Sequence, residues 1–181
     1  MITSLAWSGI TSVEKHDMLQ IRPFQAEDWP ALWPILQATI AKGDAYAFSP
    51  DSSEAEIYHA WIELPQVNYV ATRDDGVLVG GYMLKPNQPG LGSHVCNCGY
   101  VVAEQTRGQG IAAQMCAHSQ ELAQHLGYHA MQFNFVVSSN LAAVHLWQKL
   151  GFSIVGTLPG AFAHTSLGYV DAHVMFKQLE K

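Results

Sequence analysis

Two glycines one residue apart, set between a strand-like run and a helical run, constrain this chain more than any other feature. The segment is Arg107-Gly108-Gln109-Gly110-Ile111-Ala112. Val95 to Val102 reads as a strand leading in, and Ile111 to Leu126 as an amphipathic helix leading out. Strand, glycine loop and helix together present backbone N–H groups to a phosphate. Glycine keeps a Cβ out of the way of the oxygens. The helix start adds roughly half a positive charge, and Arg107 offers a charge-assisted hydrogen bond. The chain is therefore expected to hold a pyrophosphate.

Spacing narrows whose pyrophosphate it is. A P-loop needs a Lys directly after its last glycine, and none follows here. A dinucleotide fingerprint fits Gly108, Gly110 and Ala113, but it also wants an acid about 20 residues on to grip a ribose. No Asp or Glu lies between Glu121 and Asp171. A nicotinamide-type oxidoreductase stays as an alternative, to be separated by whether NAD(H) competes for binding.

A third pattern, Arg-x-x-Gly-x-Ala at Arg107, Gly110 and Ala112, is followed by Asn140-Leu-Ala-Ala-Val-His-Leu-Trp-Gln-Lys-Leu-Gly151-Phe152. With these two blocks, and with the order of elements upstream, the chain resembles the GCN5-related N-acetyltransferase family from Leu19 to Leu179. The resemblance implies a single α/β domain. Its mixed, mostly antiparallel sheet has about seven strands, flanked by about four helices, and the fourth and fifth strands splay apart. Acetyl-CoA would lie in that gap. Tyr100, Val101 and Val102 would bond the pantetheine and polarise the thioester. Arg107, Gly108, Gln109, Gly110, Ile111 and Ala112 would hold the pyrophosphate. Asn140 would cap its helix, touch the cofactor, or both. Trp147 stands where many members carry a Tyr proposed to protonate the leaving sulfur. Indole does not ionise usefully, so Trp147 is read as packing beside the cofactor.

Phe133-Asn134-Phe135, Asn140, Leu146-Trp147 and the Gly43-Asp44-Ala45-Tyr46 loop are similar to a branch that includes yeast enzymes acetylating proline analogues. There, two asparagines serve acceptor and cofactor, which implies those roles for Asn134 and Asn140. Asn134 also stands out unaided, because a carboxamide is out of place in so apolar a strand. Asp44, Tyr46, Asn134 and His164 are the expected acceptor-site residues.

The implied chemistry is acetyl transfer to an amine. An alkyl amine has a pKa near 10.4, so neutralising it at pH 7 costs on the order of 4–5 kcal/mol. A base, a water chain or a desolvated pocket must cover that cost. The candidate bases are Glu104, Asp44, His164 and Asp171, none with a decisive signal. A thiol pKa near 8.5 lets thiolate leave with little help. Cys98 is the one candidate covalent carrier, and direct attack in a ternary complex is the expected route. Two further readings stay open: acetylation of a protein amine, and a non-catalytic acyl-CoA sensor.

Composition limits the remaining classes. At 181 residues one domain is expected, with residues 1–17 as an extension and 18–181 as the catalytic domain. The extension reads either as an arm packed on the domain or as the product of an upstream start codon. The net charge of −6 argues against nucleic acid. Residues 1–75 hold 11 acids against 4 Lys/Arg, whereas residues 76–170 hold 2 against 3. The glycine-loop half thus suits an anionic ligand, and the acidic half could attract an amine. No apolar run is long enough to span a membrane, and three cysteines suit a reducing cytoplasm. His94, Cys96 and Cys98 share a strand face, but the spacing is poor for zinc, so no metal is expected. A small-molecule amine or amino acid is the expected partner, and a homodimer is left open.

The elements expected are strands at Leu19–Phe24, Val67–Arg73, Val77–Leu84, Val95–Val102, His129–Val137, Phe152–Gly156 and Tyr169–Phe176. Helices should start at Asp28, at Ser52 or Ser53, at Ile111 and at Ser139 or Asn140, with Pro34 kinking or delaying the first. Residues 157–168 read as a long loop.

Overall fold

The computed structural model describes residues 19–179; the expected N-terminal extension lies outside them. Strands β1 (Gln20–Pro23), β2 (Val67–Thr72), β3 (Leu78–Pro86), β4 (Val95–Val102), β5 (Ala130–Val137), β6 (Ser153–His164) and β7 (Gly168–Gln178) form one sheet, ordered β1-β2-β3-β4-β5-β7-β6. Every neighbouring pair is antiparallel except β4 with β5. Helices α1 (Trp29–Ala41) and α2 (Glu54–Tyr58) cover one face, and α3 (Ile111–His125) and α4 (Leu141–Lys149) the other.

The helix starts follow local chemistry. Ser53 and Glu56 form a reciprocal capping box at α2. Past Tyr58 the helix widens into one π turn, closed by Leu64 N–H on His59 O at 3.0 Å. Asn140 Oδ1 accepts from Ala143 N–H at 3.2 Å and caps α4.

Three expectations need correction. Asp28 does not cap α1 with its side chain. Arg22 holds its carboxylate with two bonds of 2.7 Å, and one of the same oxygens takes Gln25 N–H. A bidentate charged pair outcompetes a neutral cap bond. Pro34 does not delay α1, which is continuous around it. It sits on the exposed side, while Leu32, Leu36 and Ile40 bury the stripe that holds the helix to the sheet. Most of the expected loop at 157–168 is strand: β6 runs to His164 and hairpins into β7. Gly156, Pro159 and Gly160 read as turn residues. They fall in two register breaks of an edge strand, where proline and glycine are tolerated. Gly160 N–H is taken by Asp171 Oδ1 at 2.8 Å, which fastens the second break to β7.

Leu32, Leu36, Ile57, Trp61 and Val101 pack under α1 and α2, and Met115, Cys116, Met131, Phe133 and Phe152 under α3 and α4.

Candidate active site

The parallel pairing of β4 and β5 is short. It joins Val95 to Ala130, Cys96 to Met131 and Asn97 to Gln132, and then stops. Backbone parity decides what is left free. Asn87 N–H bonds Val95 O and Ala103 N–H bonds Val79 O, both at 2.8 Å, so odd-numbered residues of β4 serve β3. His129 N–H bonds His94 O at 2.8 Å, so even-numbered residues face β5. Beyond Asn97 the strands part. The backbone groups of Tyr100 and Val102 then point into the gap without a strand partner, while Val101 turns its own to β3.

The loop at 107–110 behaves as its composition demands. Gly108 and Gly110 both have φ of 79°, a conformation glycine adopts without penalty. The first bond of α3 runs from Gln114 N–H to Gly110 O at 3.1 Å. Among the described residues, the amides of Gly108 to Ala113 take no acceptor, and Arg107 makes no ion pair. A row of unpaired donors at a helix start, with a guanidinium beside it, is an anion site.

Two clefts flank the gap. The larger, about 810 Å³, is bounded by the glycine loop, the start of α4 and the end of β6; Asp44, Val102, Ser139, His164 and Leu167 also line it. The smaller, about 470 Å³, lies beside the π turn that follows α2, with Phe48, Trp61, Met83, Lys85, Asn97 and Asn134 in its wall. They share Ala45, Tyr46, Tyr100, Asn140, Ala143 and Trp147. At that junction Tyr46 Oη donates to Tyr100 O at 2.6 Å, and burial pushes the Tyr46 pKa up, so the hydroxyl stays protonated. Trp147 is 9% exposed and packs 5.1 Å from the Tyr100 ring and 5.0 Å from that of Phe133. The Tyr100 hydroxyl bonds Ser119 Oγ at 2.7 Å.

The structure brings Tyr46, Tyr100, Asn140 and Trp147 to the junction, lines the larger cleft with Val101, Val102, Arg107, Gly108, Gly110, Ile111 and Ala112, and divides the expected acceptor residues between the clefts. Asn134 lies in the smaller cleft only; Asp44 and His164 lie in the larger only. Asn134 is tied into an amide chain: Gln132 Nε2 donates to its Oδ1 at 2.8 Å, and its Nδ2 donates to Asn87 Oδ1 at 2.6 Å. Glu104 sits on the surface bonded to Lys42, which holds its carboxyl below the usual range. Cys98 is 6% exposed, and burial pushes its thiol pKa well up. Lys85, Asn87, Asn97, Phe48 and Trp61 carried no motif in the sequence. The only cue was a lysine and an asparagine at the ends of apolar strands. Among the described residues no cluster of His, Cys, Asp and Glu could hold a metal ion, and no helix is long and apolar enough to cross a membrane.

This geometry matches known proteins. The pattern of the Acetyltransferase (GNAT) family fits residues 21–152. A GCN5-related N-acetyltransferase from Kribbella flavida is 38% identical, covering 89% of this chain and 98% of that one, with a TM-score of 0.85. A phosphinothricin acetyltransferase from Sinorhizobium meliloti, solved in complex with AcCoA, is 18% identical over 89% of this chain and 88% of that one; its TM-score of 0.79 reflects a common fold. N-acetyltransferase aca1 of Schizosaccharomyces pombe is 34% identical over 100 residues, 54% of this chain. The match spans about half, 47%, of that curated relative's length. The chain belongs to the acetyltransferase (GNAT) family, a family of acyltransferases.

Proposed function

We propose that this chain moves an acetyl group from acetyl-CoA to the amine of a small molecule or amino acid, by direct attack in a ternary complex and without a metal. The observation that carries the reading is the meeting of two clefts at Tyr46, Tyr100, Asn140 and Trp147, beside the unpaired stretch of β4.

The larger cleft fits acetyl-CoA by its donor set. Arg107 and the free amides from Gly108 to Ala113 suit the pyrophosphate. The backbone groups of Tyr100 and Val102 suit an arm that bonds like a short extra strand. Acetyl-CoA supplies the activated acetyl thioester. The chain's own part is to orient that group and to keep water away with the rings of Tyr100, Phe133 and Trp147. The β4 amides facing the gap offer preorganised donors where negative charge develops on oxygen.

The acceptor enters from the smaller cleft. Glu104 and Asp171 are engaged elsewhere, and Asp44 and His164 line the other cleft. The amine's proton therefore leaves through water. Trp147 donates no proton to the departing sulfur, and thiolate leaves unassisted. Three buried free cysteines agree with a reducing cytoplasm.

The test is free-thiol release from acetyl-CoA with a panel of amines. Turnover is expected, and Arg107→Ala should raise the KM for acetyl-CoA about 10- to 100-fold, the worth of a charge-assisted hydrogen bond. Binding of acetyl-CoA with no turnover on any amine would instead support a sensor of acyl-CoA. Turnover confined to peptide N-termini or lysines would make the acceptor a protein.

A further inference from the structure

We infer that Lys85 is the carboxylate anchor of the acceptor, which makes the acceptor, if the chain acetylates amines as proposed above, an α-amino acid with its carboxylate free. Among the described residues, Lys85 is the only charged side chain in the wall of the smaller cleft, and no Asp or Glu lines it. Four other cations are engaged. Arg22 pairs with Asp28, Lys42 with Glu104 and Arg73 with Asp75, while Lys177 bonds Leu150 O and Gln120. Among the described residues, the cations that line a cleft without an ion-pair partner are Arg107 in the larger and Lys85 in the smaller. One faces the phosphate side of the gap and the other faces the acceptor.

The setting of Lys85 selects an anion over a second cation. On β3 it stands opposite Asn97 of β4, which stands opposite Gln132 of β5, so the three lie in one row across the sheet. Asn97 Nδ2 donates to Gln132 O at 2.9 Å. Asn134, next along that face of β5, has its oxygen and one N–H in use, which leaves a second N–H for a ligand. A half-buried ammonium with a spare amide donor near it binds a carboxylate and repels a polyamine. The rest of the wall includes Phe48, Trp61, Met83 and Phe135, which suits a compact apolar side chain. With the carboxylate at Lys85, the amine is left for the junction at Tyr46 and Asn140.

The experiment pairs each common L-amino acid with its carboxamide in the thiol-release assay, for the native chain, Lys85→Met and Lys85→Arg. The carboxamide keeps the side chain and removes the carboxylate charge, as a peptide N-terminus also does; it also lowers the amine pKa, so kcat/KM is compared per neutral amine. The native chain should prefer the acid of its best pair by about 10- to 100-fold in kcat/KM, the ratio a charge-assisted hydrogen bond supports. Lys85→Met should erase that preference by raising KM for the acid, with affinity for acetyl-CoA kept as a measure of folding. Lys85→Arg should restore part of it. Equal use of acid and amide by the native chain would overturn the assignment. So would a Lys85→Met variant that loses both equally, or turnover of simple amines with no amino acid accepted. Absence of turnover on any amine would defeat the acetyltransferase reading itself, and the assignment with it.

Discussion

Gly43, next to the cleft residue Asp44, lets the turn after β6 come close because it lacks a side chain. It follows α1 with φ of 59°, and a Cβ there would sit 2.2 Å from Thr165 Cγ2. Thr165 belongs to the turn between β6 and β7, and its Oγ1 donates to Lys42 O at 3.0 Å, so turn and helix end are fastened to each other. Gly43→Ala should therefore lower stability by roughly 1–3 kcal/mol, combining backbone strain with a steric clash. Thr165→Ser keeps the hydroxyl and removes only the clashing methyl. Urea midpoints of the single and double variants separate the two costs: the double should recover the steric part and keep the strain. No recovery would mean that the clash is not what the alanine introduces. Residues differ in how readable they are. Asn134 was legible because a carboxamide between two phenylalanines defies strand propensity. Lys85 was not, because its meaning comes from Asn97 and Gln132 lying opposite across two other strands, a register that no local pattern encodes.

Elements repeat that division. The strand, glycine loop and helix at 95–125 were legible because the glycines, the apolar period and the loop chemistry agree locally. β6 was misread because local signals and tertiary setting disagree: turn formers sit in a strand that only its pairing with β7 keeps extended. Likewise, the docking of α3 depends on a partner outside the helix. His118 Nδ1 lies 2.7 Å from Tyr82 Oη and its ring 5.1 Å from that of Tyr69. Desolvation holds the His118 pKa below its ordinary value, against a smaller opposing pull from Glu121. The unfolded chain thus takes up this proton first as pH falls. The stability from neutral His118 is whole above the ordinary histidine value of about 6.5 and is lost as pH drops through the lower folded value. In the protonated ring both nitrogens carry hydrogen, so Tyr82 Oη is then the acceptor at Nδ1. Urea midpoints should fall between pH 7.5 and pH 5 in the native chain and fall less in a His118→Leu/Tyr82→Phe double variant. An unchanged slope would mean that His118 titrates freely.

Across the whole molecule, the splayed sheet separates two entrances and gives them one meeting point. The larger cleft opens past the glycine loop and the smaller beside the π turn after α2, and they share a wall at the junction of Tyr46, Tyr100, Asn140 and Trp147, with Ala45 and Ala143. On the proposed reading each substrate can bind while the other is present, so a ternary complex needs no motion that empties one cleft before the other fills. The competing scheme, an acetylated enzyme, needs a nucleophile at the junction. Cys98 is the thiol in the wall of the smaller cleft, but burial disfavours its thiolate, and the nearby Tyr100 and Ser119 hydroxyls relieve only part of that penalty. A thiol kept protonated is a poor attacker. Initial rates measured while both substrates are varied should therefore give intersecting double-reciprocal lines. Cys98→Ala should keep that pattern and most of kcat, losing roughly 1 kcal/mol of stability for the missing core atom. Parallel lines in the native chain, together with loss of turnover in Cys98→Ala and trapped acetyl on the native protein, would replace direct attack with a covalent route. Intersecting lines with a fully active Cys98→Ala would leave the amine itself as the attacking group, which is what two entrances joined at one junction allow.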